Sequence, residues 1–192
     1  MIGQQEVLDL LLESIEHIVS QRQDIHFGII GGGTELESIK KLASQMALND
    51  YITFYGRVED EILLEILNTA DVCVNPDRPT VMNDLSTMNK IMEYMALKKP
   101  MVQYTLKEGE YSAKKASLYA LNTDPVDFAE KVIFLIDNPV VREEMGEYGY
   151  NRVVTELSWE FESRRLIDFY KKVLRGTSDI TARTHKDLVN VN

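Results

Sequence analysis

The stretch from Asn83 to Pro100, NDLSTMNKIMEYMALKKP, constrains this chain more than any other. It joins two short strand-like runs, Asp71 to Asn75 (DVCVN) and Met101 to Tyr104 (MVQY), so a helix must cross between neighbouring strands. Met88, Ile91, Met92 and Met95 fall at i, i+3, i+4 and i+7, an apolar stripe made to bury against a sheet. Ser86, Asn89, Lys90 and Glu93 form a second, polar stripe. Asn83 and Asp84 are good N-cap types, which places the helix start just beyond the carboxyl end of a strand. In an open α/β sheet that is where ligands bind, and free helix amides there suit an anion.

The rest of the chain repeats the alternation. Gln5 to Gln21 reads as an amphipathic helix with Val7, Leu8, Leu11, Leu12, Ile15 and Ile18 on one face. Ile25 to Ile30 runs as a strand into Gly31-Gly32-Gly33, and Thr34 with Glu37 forms a capping box for a helix to about Ala47. Tyr51 to Tyr55 is a β-branched and aromatic strand ended by Gly56, followed by a helix from Glu59 to Asn68. After Met101 to Tyr104 comes a polar patch, Lys107 to Lys115, then a last strand at Ser117 to Leu121. Asp124-Pro125 opens a helix to about Ile136, Pro139 another to about Thr155, and Ser158 caps a final one, Trp159 to Leu174, stopped at Gly176. Trp159 and Phe161 read as packing anchors, and the polar stretch 177–192 as a loose tail. Strands apolar on both faces predict an α/β fold, a parallel sheet covered by helices on both sides, as one domain over residues 1–176.

The segment KIMEYMALKKPMV after a strand and a polar loop resembles the donor-binding segment of the retaining glycosyltransferases of family 4. The family carries two Rossmann-like domains, the GT-B fold, and the resemblance covers nearly the whole chain. IGQQEVLDLLLESI is similar to the first helix of the family's C-terminal domain, GIIGGGTELESIKKLA to its G-x-G strand and helix, ITFYGRV to its next strand, and ELSWE to its late helix. The family shows a Glu, seven residues, and a second Glu. Glu93 matches the second; Leu85 stands in place of the first, with Asp84 one position earlier.

The resemblance implies half of a GT-B fold that binds a nucleotide-diphosphate sugar as donor substrate. Transfer with retention would need no further cofactor and no bound metal, and an N-terminal acceptor domain absent from this chain would complete the site. Peripheral membrane contact would come only through that domain. A role in cell-surface polysaccharide biosynthesis follows as an expectation of the same kind. By the same likeness Ile2-Gly3 corresponds to the turn after the domain's first strand, which would lie upstream. The strands at Ile25 to Ile30 and Val72 to Asn75 would then either pair directly or take a strand from another chain, and the isolated chain would be poorly stable.

Each candidate residue has a second reading. Glu93 suits a ribose diol, or is a surface carboxylate paired with Lys90 or Asn89. Leu85, Ser86 and Thr87 offer amides and hydroxyls to a diphosphate, unless Asp84 caps those amides itself; Asp84 would then not face sugar hydroxyls as the candidate catalytic carboxylate. Lys90 neutralises phosphate or is simply solvated. Gly56, Arg57 and Val58 follow a strand where the resemblance implies contact with the base, and Gly32 and Gly33 where the backbone approaches the donor; a surface arginine and an ordinary turn are the alternatives.

Composition sets outer bounds. A net charge of −10 argues against a nucleic-acid backbone as partner. Cys73, the only cysteine, cannot form an internal disulfide and sits in an apolar strand, as an inert thiol of a cytoplasmic protein would. His17, His26 and His185 lack metal-ligand spacing, and no nucleophile elbow is present. Two rivals to the transferase remain: a non-catalytic nucleotide-sugar binding or interaction module, and an epimerase-like half.

Overall fold

The computed structural model describes residues 8–189, with side chains to Arg175. Gln5 to Val7 of the expected first helix, and the Ile2-Gly3 turn, lie outside the described residues. Two compact units divide the chain, residues 1–151 and 152–192. The first unit holds five parallel strands: β1 (Phe27–Ile30), β2 (Ile52–Gly56), β3 (Cys73–Asn75), β4 (Met101–Tyr104) and β5 (Ser117–Ala120). The helices before, between and after them are α1 (Leu8–Gln21), α2 (Leu36–Gln45), α3 (Asp60–Thr69), α4 (Val81–Asp84), α5 (Asn89–Ala96), α6 (Lys107–Ala113), α7 (Pro125–Asp137) and α8 (Pro139–Arg152). This is the expected Rossmann-like α/β order.

Register explains how the sheet serves two purposes. Cys73 pairs with Met101 and Asn75 with Gln103 across β3 and β4, and Met101 pairs with Ser117 across β4 and β5. Side chains alternate, so Val74, Val102, Tyr104, Leu118 and Ala120 share one face. They join Leu11, Leu12, Ile15 and Ile18 of α1 and Phe128, Val132 and Leu135 of α7 in the main core. The Tyr104 and Phe128 rings meet there at 4.9 Å between centroids. Burial pushes the Tyr104 phenol up to about 12. The opposite face carries Cys73, Asn75, Met101 and Gln103, all buried. Burial likewise pushes the Cys73 thiol up to about 12, in keeping with an inert thiol.

α5 and α8 meet closely at two glycines of α8. A Cβ on Gly146 would overlap the Lys98 carbonyl oxygen, and one on Gly149 would crowd Met95 and Ala116 at 3.0–3.3 Å. Asp124 caps α7 as expected, accepting from the Val126 amide at 2.9 Å with Pro125 in the first turn.

Four local expectations are corrected. The capping box at Thr34 does not form: α2 starts one turn-residue later with Glu35 as N-cap, because Leu36 N–H already bonds the Gly33 carbonyl. The polar patch from Lys107 is helical, with Glu108 and Glu110 at the N-terminus favoured by the helix dipole. The second unit contains α9 (Trp159–Val189), which runs through Gly176, so 177–189 is helix rather than loose tail. One interior glycine costs only about 1 kcal/mol, too little to end a long helix. Trp159 and Phe161 are exposed, 71% and 41%, rather than packing anchors; periodicity marks an apolar face without saying what meets it.

The five strands form two sheets, β1–β2 and β3–β4–β5. Direct pairing of the strands at Ile25 to Ile30 and Val72 to Asn75, one of the two arrangements expected, does not occur. Among the described residues β1 and β3 each keep one edge without a strand partner, although Ile29 and Val74 belong to the same core.

Two outcomes test this architecture. Gly146→Ala should destabilise the chain by about 1–3 kcal/mol, since overpacking against a fixed carbonyl outweighs the gain of about 1 kcal/mol in helix propensity; chemical denaturation measures it. In native hydrogen exchange, open-edge amides of β1 and β3 should exchange at least about 100-fold faster than those of β4, which is paired on both sides. Uniform protection of all three strands would contradict the open edges.

Candidate functional site

The segment that crosses from β3 to β4 is built differently from a single helix. Thr80 caps α4, its hydroxyl accepting from the Asn83 amide at 3.1 Å. The helix then stops at Asp84. Ser86 Oγ donates back to the Met82 carbonyl at 2.6 Å, and the Leu85 and Ser86 amides bond the Met82 and Asn83 carbonyls at 3.2 and 3.3 Å. Serine, threonine and aspartate compete with helix hydrogen bonds in this way, which is why Leu85 to Met88 form a loop. α5 begins afresh at Asn89, and its apolar stripe is placed as expected, with Ile91 and Met95 fully buried.

The helix start expected at Asp84 is therefore corrected to Asn89. Neither Asn83 nor Asp84 caps α5. Asn83 is buried and its side-chain amide donates to the Arg78 carbonyl at 2.9 Å. Asp84 instead accepts from the Lys107 amide at 3.2 Å and lies 3.4 Å from the Lys107 ammonium, serving the start of α6. Thr87 Oγ1 donates to Glu108 at 2.8 Å. Of the groups foreseen for a diphosphate, the hydroxyls of Ser86 and Thr87 and the amides of Leu85 and Ser86 have partners within the protein. The amides at the head of α5, Asn89 and Lys90, have no carbonyl partner among the described residues.

Lys90 reaches down to the end of β3. Its ammonium donates to Asn75 Oδ1 at 3.1 Å and to Asp77 Oδ2 at 2.8 Å. The Asp77 side chain is 6% exposed and that of Lys90 33%. Asn75 also donates through Nδ2 to Met88 Sδ at 3.3 Å. Next to Asn75 in register, Gln103 is fully buried, and neither of its amide atoms has a partner among the described residues. A Cβ on Gly109 of α6 would overlap Gln103 Oε1, so glycine there lets α6 close over this carboxamide. Asp77 Oδ1 is a second buried oxygen without a partner.

Glu93 is exposed, one turn along α5 from Lys90, and its carboxylate has no hydrogen bond or ion pair among the described residues. The pairing with Lys90 or Asn89 that would make it a plain surface group does not occur. At the carboxyl ends of β1 and β2, the Gly31 amide donates to the Gly56 carbonyl at 2.8 Å. That bond brings Gly32 and Gly33 beside Gly56, Arg57 and Val58. Gly56 has φ of +67°, a conformation glycine adopts without strain. Arg57 is exposed and without an ion-pair partner among the described residues. At Gly32 an added Cβ would meet nothing within 4 Å, so packing does not explain the glycine.

The sequence reading missed Asn75, Asp77 and Gln103. Asn75 and Asp77 were legible as polar residues at and just after a strand's carboxyl end. Gln103 left no signal, because a strand pattern does not say which polar residue is covered by a helix.

With this geometry in place, comparison with known proteins settles the family. A sequence profile described as "Glycosyl transferases group 1" matches residues 1–138. The chain belongs to that family. Its sequence is 27% identical over 161 residues to the GDP-mannose-dependent monoacylated alpha-(1-6)-phosphatidylinositol monomannoside mannosyltransferase of Corynebacterium glutamicum, covering 82% of this chain and 42% of that enzyme. Among solved structures it is similar to a TarM variant from S. aureus in complex with fondaparinux, alpha-GlcNAc-glycerol and UDP (TM-score 0.78, 20% identity, 87% of this chain and 33% of that one). It is also similar to the C-terminal domain of a glycosyl transferase group 1 protein from Francisella tularensis (TM-score 0.69, 17% identity, 82% of this chain and 83% of that one). The chain thus spans less than half the length of the curated family member. No helix among the described residues is long and apolar enough to cross a membrane, and no group of three His, Cys, Asp or Glu side chains among them is placed to hold a metal ion.

The Lys90–Asp77 contact makes a stability prediction for this family member. Lys90→Met alone strands a buried carboxylate and should cost about 2–4 kcal/mol, toward the low end because Lys90 is partly exposed. Adding Asp77→Asn should recover much of the loss. Equal stability of the single and double variants would show that Asp77 does not depend on Lys90.

Proposed function

We propose that this chain is the donor-binding domain of a glycosyltransferase that moves a sugar from a nucleotide-diphosphate sugar to an acceptor, with retention of configuration. The observation that carries the reading is the free Glu93 carboxylate, on the same helix as Lys90 and at the place where the family keeps its second Glu. A carboxylate accepts both hydrogen bonds of a ribose diol. The head of α5 offers two amides and the Lys90 ammonium to the diphosphate, and those groups favour the charge that builds on the leaving diphosphate as the glycosidic bond breaks. Arg57 and Val58, beside the glycine turn, take the base; Gly32 leaves room for the ligand where a side chain would intrude. Asp84, though held by α6, ends α4 just before the loop that faces the sugar in this reading and is its candidate catalytic carboxylate. The reaction needs no cofactor beyond the donor, and the acceptor is held by the part of such a protein that this chain does not span.

A second reading rests on Leu85. It stands where the family keeps a carboxylate, and its side chain, 75% exposed, is a hydrocarbon that offers the sugar no hydrogen bond. A nucleotide-sugar binding module without transfer would tolerate that exchange. Transfer assays with the full-length protein separate the two, since both readings predict donor binding and only the first predicts a glycosylated acceptor.

Calorimetric titration with UDP, GDP and ADP tests the shared core of both readings. Glu93→Ala should weaken the nucleoside diphosphate that binds by ~1–3 kcal/mol, the scale of losing hydrogen bonds to a charged group. Gly32→Ala should weaken it as well while leaving thermal stability nearly unchanged, because the added methyl meets open space in the free protein. Unchanged affinity in Glu93→Ala would remove Glu93 from the site.

A further inference from the structure

An ammonium carries three N–H donors in a fixed tripod. In Lys90 two of them are taken, by Asn75 Oδ1 at 3.1 Å and Asp77 Oδ2 at 2.8 Å. Both acceptors belong to the end of β3 or the two residues after it, and both are at most 4% exposed, so neither moves easily. With two legs of the tripod pinned on rigid ground, the direction of the third is set. The Lys90 side chain is one-third exposed, so the remaining donor is open to an incoming group.

We infer that Asn75 and Asp77 are positioning residues: they hold the Lys90 ammonium so that its third N–H is aimed, before any ligand arrives, at an oxygen of a diphosphate bound at the head of α5. The proposal deepens the nucleotide reading of this site and rests on it for the identity of the ligand. The gain is preorganisation. A free lysine side chain has many rotamers to give up when it binds an anion; one already fixed by two buried acceptors gives up little. The remaining Asp77 oxygen, buried and without a partner, shows that the carboxylate is kept in place at a desolvation cost that surface solubility does not require.

A competing effect has the opposite sign. Asp77 is an anion near the proposed diphosphate and repels it. If repulsion dominated, Asp77→Asn would tighten binding; if positioning dominates, the same change loosens it. Asparagine keeps the shape and one oxygen acceptor, and loses only the charge that holds the ammonium strongly.

The test uses the whole chain with its lysine side chains labelled with nitrogen-15. In the ligand-free protein the Lys90 ammonium should give a distinct, ordered, slowly exchanging signal, identified by its loss in Lys90→Arg. Asp77→Asn should average it with the mobile lysines. An equally ordered signal in Asp77→Asn overturns the positioning role without reference to any nucleotide. In the second arm UDP, GDP, ADP, the matching nucleoside monophosphates and inorganic pyrophosphate are titrated. Binding should shift the Lys90 signal, and Asp77→Asn should lower nucleoside diphosphate affinity about tenfold while leaving the nucleoside monophosphate within about twofold, a split that general loosening of the fold would not produce. Tighter diphosphate binding in Asp77→Asn, or binding that leaves the Lys90 signal unmoved, overturns the proposal. Should none of these ligands bind the wild type, the nucleotide reading and the anion role fall together, while the ammonium order still decides whether Asp77 holds Lys90. If Asp77→Asn does not fold, Asn75→Ser takes its place in both arms with the same expectations.

Discussion

The parallel register of β3 on β4 is the constraint on which the rest of the structure depends. By pairing Val74 with Val102 and Asn75 with Gln103, it sends apolar side chains into the core under α1 and α7 and polar ones to the opposite face. A slip of one residue would exchange the faces, burying the two carboxamides among leucines and presenting valines to α5. The site is therefore a consequence of strand register. Asn75 can reach Lys90 only because the same register gives Val74 to the core.

What the sequence disclosed follows from the kind of signal each element leaves. Helix and strand periodicity is printed in side-chain types, so α1 and the stripe through Ile91 and Met95 were legible with their faces, and α7 was legible from its cap at Asp124-Pro125. The break between α4 and α5 was not. It depends on Ser86 turning back to Met82 and on Asp84 finding the Lys107 amide, and the second partner is 23 residues away. A cap and a helix breaker use the same residue types, and only the tertiary partner decides between them. Asp77 was overlooked for a related reason: its role appears when Lys90, 13 residues later, folds back over the end of the strand. Gly146 of α8 carries no signal in the sequence for its role, which is to leave room for the Lys98 carbonyl that faces it.

Hydrogen bonding within the first unit is uneven, and stability should follow it. β4 has partners on both edges, while β1 and β3 have one each among the described residues. Backbone groups in a ladder lose little on folding, but an edge without a ladder depends on water or on side-chain packing to offset its desolvation. Here the packing is supplied by α1. Its buried Leu11, Leu12, Ile15 and Ile18 join residues of both sheets in one core, so among the described residues the two ladders are held together by apolar contact and not by ladder hydrogen bonds between them. Apolar contact is non-directional and tolerates small shifts of one sheet against the other in a way that a ladder does not.

The net charge of −10 might be thought to oppose any phosphate ligand, and distance shows why it does not. At physiological salt, charges separated by more than ~8 Å are largely screened. Most of the carboxylates lie exposed on helix surfaces and contribute little at the head of α5. A donor at hydrogen-bond distance is not screened, since no solvent separates it from its acceptor. Lys90 is itself nearly cancelled at long range by Asp77, 2.8 Å away, so it adds almost nothing to a far field that would draw in polyanions at large. Its N–H dipole remains effective at contact. A long nucleic-acid backbone needs many cations spread over a face; a single diphosphate needs a few donors aimed at one point. The same acidic chain can therefore discourage the first and accept the second, with the difference made by a pair of charges whose net sum is zero.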